Sequence, residues 1–181
     1  LEPEADGFGV ACIEEALELR EAGITKPVLL LEGFFDTGEL PLIERHGLWT
    51  VVASPWQLEM LERHRATRPW RVWLKLDSGM HRLGLPPEAY ADAWRRLRAL
   101  PWVEEVVAMS HFARADELAH GHTPQQLSVF DATVATLPER PQASIANSAG
   151  LMAWPAARRE WVRPGLMLYG THMLDAPRAE A

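Results

Sequence analysis

Lys75, Asp77, His81 and Arg82 share one stretch, Val72-Trp73-Leu74-Lys75-Leu76-Asp77-Ser78-Gly79-Met80-His81-Arg82-Leu83-Gly84. Its first six residues are apolar apart from Lys75 and Asp77, the pattern of a buried strand, and Ser78-Gly79 then breaks it into a turn. A lysine in such a strand needs a partner, because an unpaired buried ammonium is costly enough to shed its proton. Two readings follow. Lys75 pairs with Asp77, or it is an amine held ready for chemistry. Lys26 and Lys75 are the only lysines beside sixteen arginines, and Lys26 precedes Pro27 in a turn. Lys75 is therefore the one amine placed for a reaction, and on that feature alone a Schiff-base aldolase, with Lys75 capturing a carbonyl substrate, is supported.

The 181 residues, 48% apolar, are enough for one sizeable core. A net charge of −7 without a basic cluster argues against nucleic acid as a partner. Cys12 is the only cysteine, which excludes a disulfide framework and a cysteine metal site and fits a reducing compartment. No apolar run approaches membrane-spanning length and no signal segment is present, so a membrane partner is not expected. The chain begins at Leu1 rather than methionine, as expected of a piece of something longer.

The elements that must position these groups alternate short apolar runs with amphipathic ones. Strands are expected at Gly7–Ala11, Val28–Leu31, Thr50–Ala53, Val72–Asp77, Val103–Met109, Ala143–Ala146 and Leu166–Tyr169. Runs such as Val28–Leu31 lack period-two alternation and belong to strands buried on both faces. A helix is expected over about Ile13 to Ala22, stopped by Gly23. Ser54-Pro55-Trp56-Gln57 and Thr123-Pro124-Gln125-Gln126 both read as helix starts, with the hydroxyl residue as N-cap, proline next and glutamine at the capping-box position. Tyr90, Trp94, Leu97 and Leu100 form one helical stripe, and Leu127, Phe130, Val134 and Leu137 another.

Repeated β-α units with polar residues at the strand ends imply a doubly wound sheet or a (β/α)8 barrel. No glycine-rich GxGxxG follows the first strand, which favours the barrel. The expected fold is thus an α/β chain, a (β/α)8 TIM-type barrel with about seven strands present and its first β/α unit lying before Leu1. Asn147-Ser148-Ala149-Gly150 and Arg163-Pro164-Gly165 fall where such barrels often bind phosphate. Small residues let backbone N–H groups approach an anion, and Ser148 adds a hydroxyl.

Five stretches, in order and spacing, resemble the alanine racemase family. They are Ala5–Ala11 with Glu14-Glu15-Ala16, Lys75–Gly84, Ser110–Ala113 with Ala115-Asp116-Glu117, Ala146–Ala149, and Trp161–Gly165 with Leu168-Tyr169-Gly170. The resemblance implies a pyridoxal 5'-phosphate enzyme that interconverts L- and D-alanine for cell-wall synthesis, as a cytoplasmic homodimer. Residues 1–170 would be an incomplete cofactor-binding barrel, and 171–181 a linker toward a C-terminal β domain. By the same resemblance Arg82 would contact the cofactor's phenolic oxygen, Arg163 would face its pyridine nitrogen, and His111 would pack by the ring and help hold Arg163. Asn147 belongs to the same loop as Ser148, and Ser148, Gly165 and Leu166 would grip the phosphate. Lys75 would be carboxylated by carbon dioxide, turning a cation that repels Arg82 into an anion that holds it.

The family's Schiff-base lysine would lie before Leu1 and its catalytic tyrosine in the partner's C-terminal domain. Neither Tyr90 nor Tyr169 stands in a matching motif, so these 181 residues alone are expected to be inactive. A non-catalytic pyridoxal-phosphate barrel is a further alternative. An incomplete ring of strands also predicts open edges near Phe8 and Leu168.

Overall fold

A computed structural model describes residues 3–171 and 174; Leu1 and most of 171–181, the expected linker, lie outside the described residues. Six parallel strands follow one another in chain order across a single sheet: β1 (Phe8–Val10), β2 (Val28–Leu30), β3 (Trp49–Val52), β4 (Trp70–Lys75), β5 (Val103–Met109) and β6 (Ala143–Ser144). Helices α1 (Ile13–Glu21), α2 (Leu40–His46), α3 (Pro55–Arg63), α4 (Pro87–Arg98), α5 (His122–Val134) and α6 (Ser148–Ala153) connect or follow them. Sequential parallel order is the arrangement of a (β/α) barrel, here a curled half-barrel.

The strands lack alternation because both faces are buried. Val28, Leu30, Val72, Leu74, Val106 and Ala108 pack under the helices with Ala16, Leu58, Tyr90, Trp94 and Phe130. Leu29, Val51, Ala53, Trp73, Val107 and Met109 fill the inner face. Side chains alternate across a strand, so each residue type is needed on both parities. The Tyr90 hydroxyl, fully buried, donates to the Leu74 carbonyl at 2.9 Å and ties α4 to β4.

Leu166–Tyr169, expected as a seventh strand, is instead one turn of 3-10 helix. Gly165 precedes it and Gly170 ends it in the left-handed region (φ 70°). Leu166, Leu168 and Tyr169 stay exposed, Tyr169 at 85%, and only Met167 is half-buried. The place beside β6 goes to the residues just before. Trp161 N–H donates to the Ala143 carbonyl (3.1 Å) and Arg163 N–H to that of Ala146 (3.0 Å), until Pro164, lacking an N–H, ends the pairing. Trp161 lies against Trp49 and Trp73 on the inner face, with ring centroids 5.4 and 5.7 Å away. Among the described residues no pairing joins β1 to β6, so the sheet is open at Phe8 as expected, while its other edge lies at β6 and the segment around Trp161 rather than at Leu168.

Both helix starts differ from expectation. Ser54 is the N-cap of α3, but its hydroxyl makes no cap bond. Gln57 reaches past it to accept from Ala53 N–H (2.8 Å). Thr123 is not an N-cap, because α5 begins one residue earlier, after Gly121. The Thr123 hydroxyl instead donates to the Arg114 carbonyl at 3.1 Å.

Candidate functional site

β4 ends at Lys75 on the same parity as Trp73, so its side chain belongs to the inner face. Lys75 is only 5% exposed. Burial, then the neighbouring Arg82 and Arg163, pull its ammonium from 10.5 to about 8, opposed only by Glu32. The ion pair with Asp77 does not form. Asp77 lies beyond the strand end, where its Oδ1 accepts from Gly79 and His81 N–H at 3.0 Å each and its Oδ2 meets His81 Nδ1 at 2.9 Å. Lys26, by contrast, donates to the Ala5 carbonyl in its turn.

The loop carrying Arg82 is closed at its neck. Asp77 N–H donates to the Leu85 carbonyl (2.9 Å) and Leu85 N–H to that of Lys75 (2.8 Å). Inside it His81 adopts φ 57°, the left-handed region, and is the only described non-glycine residue to do so. Such strain persists only where surrounding bonds over-determine it, and the Asp77 carboxylate supplies them. Gly84 (φ 129°) cannot carry a side chain, since a Cβ there would stand 2.6 Å from Asp77 N.

β5 and β6 deliver the second half of the site. The Arg163 guanidinium donates to the Ser144 hydroxyl and, at 2.6 Å, to the Ser110 carbonyl, and it approaches His111 Nδ1 at 3.4 Å. A guanidinium only donates, so Nδ1 accepts and the neutral imidazole carries its proton on Nε2. Burial and the charges of Arg163, Lys75 and Arg82 hold His111 down at about 3. Burial lowers Arg163 to about 10, which leaves it charged at neutral pH. Lys75, Arg82, His111 and Arg163 thus meet at one end of the sheet, with Arg82 on the exposed side.

A third cluster adjoins them. Asn147 caps α6, its Oδ1 accepting from Gly150 N–H at 2.9 Å. The Ser148 hydroxyl accepts from Met167 N–H at 3.1 Å, which joins α6 to the turn at Leu166. Gly165 N–H is taken by the Arg163 carbonyl at 3.0 Å. The N–H groups of Ser148, Ala149 and Leu166 have no acceptor among the described residues. Unpartnered backbone donors beside a serine hydroxyl suit an anionic group of phosphate size, and the adjoining cations suit an electron-rich ring and carboxylate.

Two buried glutamines were not legible as site residues. Gln57 donates to the carbonyls of Glu32 and Phe34 after β2, each at 3.0 Å. Gln126 does the same two β/α units further on, bridging the loops after β4 and β5. Their only sequence signal was a capping-box position, which suggests a local role rather than these long reaches.

An incomplete parallel (β/α) barrel with a cation-lined site at the C-terminal strand ends is the class of protein that fold and site define. The sequence profile described as "Alanine racemase, N-terminal domain" matches residues 1–173. The chain belongs to the alanine racemase family. It is 58% identical over 177 residues to an alanine racemase of Xanthomonas campestris pv. campestris, covering 98% of this chain and 49% of that protein. It is likewise 58% identical over 181 residues to the "Alanine racemase, catabolic" of Pseudomonas putida, covering all of this chain and 50% of that protein. The crystal structure of biosynthetic alanine racemase from Pseudomonas aeruginosa superposes with a TM-score of 0.90 at 45% identity, over 95% of this chain and 48% of that one. The chain spans about half the length of the curated relatives it matches.

Proposed function

We propose that this chain is the cofactor-binding half of an enzyme that interconverts L- and D-alanine with pyridoxal 5'-phosphate, working as a homodimer in the cytoplasm and supplying D-alanine for peptidoglycan. The family names of its relatives support the substrate. No helix of the described residues is long and apolar enough to cross a membrane. The cofactor, when bound, would draw electrons from the substrate's α-carbon so that its proton can leave.

The chain's own residues then divide the remaining work. Ser148 and the Leu166 N–H hold the phosphate, with Asn147 fixing the helix start beneath it and Gly165, whose own N–H is spent on the Arg163 carbonyl, shaping the turn that presents Leu166. Arg163 faces the pyridine nitrogen; its fixed charge keeps that nitrogen unprotonated, which limits how far negative charge spreads and suits simple proton exchange. His111, neutral and bonded to Arg163, packs by the ring. Arg82 faces the phenolic oxygen. Lys75, depressed to about 8, has enough free amine to take up carbon dioxide and then to hold Arg82 as a carbamate.

The observation that carries this reading is the half-buried Arg163, its guanidinium fixed on Ser110, Ser144 and His111. An imine-forming role for Lys75 would give that arrangement no task. Fluorescence titration tests it. Pyridoxal 5'-phosphate is expected to bind at least about tenfold more tightly than pyridoxal, and Ser148→Ala to remove most of that difference, the scale of one or two charge-assisted hydrogen bonds. Equal binding of the two compounds would overturn the assignment.

A further inference from the structure

The Gln126 side chain is wholly buried, and every polar atom around it has one consistent direction. Its Oε1 accepts from Ala113 N–H (2.9 Å), which fixes the amide's orientation. Its Nε2 then donates to the His111 carbonyl (3.0 Å) and to the Ser78 hydroxyl (3.3 Å). Ser78 and Ser110 hydroxyls lie 2.7 Å apart, and Ser110 donates its only hydroxyl proton to the Leu76 carbonyl at 2.8 Å. Ser78 must therefore be the donor to Ser110. One chain of bonds runs from α5 through the loop after β4 to the end of β5, with no polar atom left over.

This chain meets the site at two points. Ser110, its last hydroxyl, is also the residue whose carbonyl receives Arg163. His111 is pinned through its carbonyl, and the peptide two residues on through Ala113 N–H, by the same amide. With Ser110 held on one side and Ala113 on the other, the backbone of His111 has no freedom to turn its imidazole away from Arg163. From the other side of the same loop, His122 Nε2 donates to the Gly79 carbonyl at 3.0 Å, so α5 braces both loops.

We infer that Gln126 is a positioning residue for the site: it touches neither substrate nor cofactor, but sets the distance between the His111 imidazole and the Arg163 guanidinium through the backbone of residues 110–113. This rests on the reading that His111 and Arg163 face the cofactor. The groups facing the imidazole are Arg163 from the segment beside β6, Lys75 from β4 and Arg82 from the loop after β4, all cationic. A displaced imidazole would leave them and accept a proton more readily.

The test follows the imidazole nitrogens of His111 by NMR across pH in the chain without cofactor, with melting temperature measured alongside. In the wild type His111 is expected to stay neutral, protonated on Nε2, well below the usual histidine range. In Gln126→Leu, and in Gln126→Met, which keeps the length of the side chain but loses both the donors and the acceptor for Ala113 without adding a charge, its proton affinity is expected to rise at least about tenfold, one pH unit. A lowered melting temperature with an unchanged His111 titration would mean a merely structural role and overturn the inference. Should neither variant fold, the wild type decides. Slow solvent exchange of both Gln126 amide protons is expected, and fast exchange would overturn it. Because no cofactor is present, failure here leaves the cofactor reading standing, and failure of pyridoxal 5'-phosphate to bind leaves a positive His111 result standing.

Discussion

Arg163→Leu is expected to destabilise the fold by about 3 kcal/mol at neutral pH, since the Ser110 carbonyl, the Ser144 hydroxyl and His111 Nδ1 all lose a charged donor. It should also free His111. In the wild type the folded imidazole titrates at about 3, below the ordinary value near 6.5 in an unfolded chain. Between those values the unfolded chain binds the extra proton, so stability falls as pH drops through the window and the contribution is intact only above its upper end. Without Arg163 the folded value rises, the window narrows, and the variant loses less stability on acidification than the wild type does. Urea denaturation at pH 7 and pH 5 checks both parts. An acid sensitivity equal to that of the wild type would show that Arg163 does not hold the imidazole neutral.

Lys75→Met carries the other large effect, and its sign is opposite. The folded Lys75 ammonium loses its proton at about 8 instead of 10.5. Between these values the unfolded chain binds more protons, so stability rises with pH across that window, and below it the whole penalty applies. That penalty is at most about 3 kcal/mol. In buffer freed of carbon dioxide, Lys75→Met is therefore expected to be more stable than the wild type at pH 7. Bicarbonate should close the gap. The unprotonated Nζ bonds to the carbon of carbon dioxide and releases one proton, leaving an anion between Arg82 and Arg163. With 13C-labelled bicarbonate near pH 8 the wild type is expected to show a carbamate signal, beyond that of the α-amino group, which Lys75→Met lacks. A wild type without that signal, or a less stable Lys75→Met chain in the absence of carbon dioxide, would contradict this role.

Much of the site could be read from the sequence because a parallel strand announces its own end. Lys75, His111 and Arg163 stand at or just after apolar runs, and the fold places such positions together. Where the reading failed, a local pattern hid a longer reach. Leu166–Tyr169 has strand composition, yet lies between Gly165 and Gly170 and beyond Pro164, so the chain turns there and pairs earlier, at Trp161 and Arg163. Asp77 stands two residues from Lys75, the spacing of neighbours on one strand face, but β4 stops at Lys75 and the carboxylate turns to its own loop. Gln126 sits where a capping glutamine would, while its partners include Ser78, 48 residues away. Nothing local distinguishes a glutamine that caps from one that crosses.

The most direct measurement is a crystal structure of the chain soaked with pyridoxal 5'-phosphate. The phosphate is expected on Ser148, with the N–H groups at the start of α6 and at Leu166 around it, and the ring between His111 and Arg82 with its nitrogen toward Arg163. A phosphate seated at any other place, or a ring whose nitrogen turns away from Arg163, would contradict the assignment.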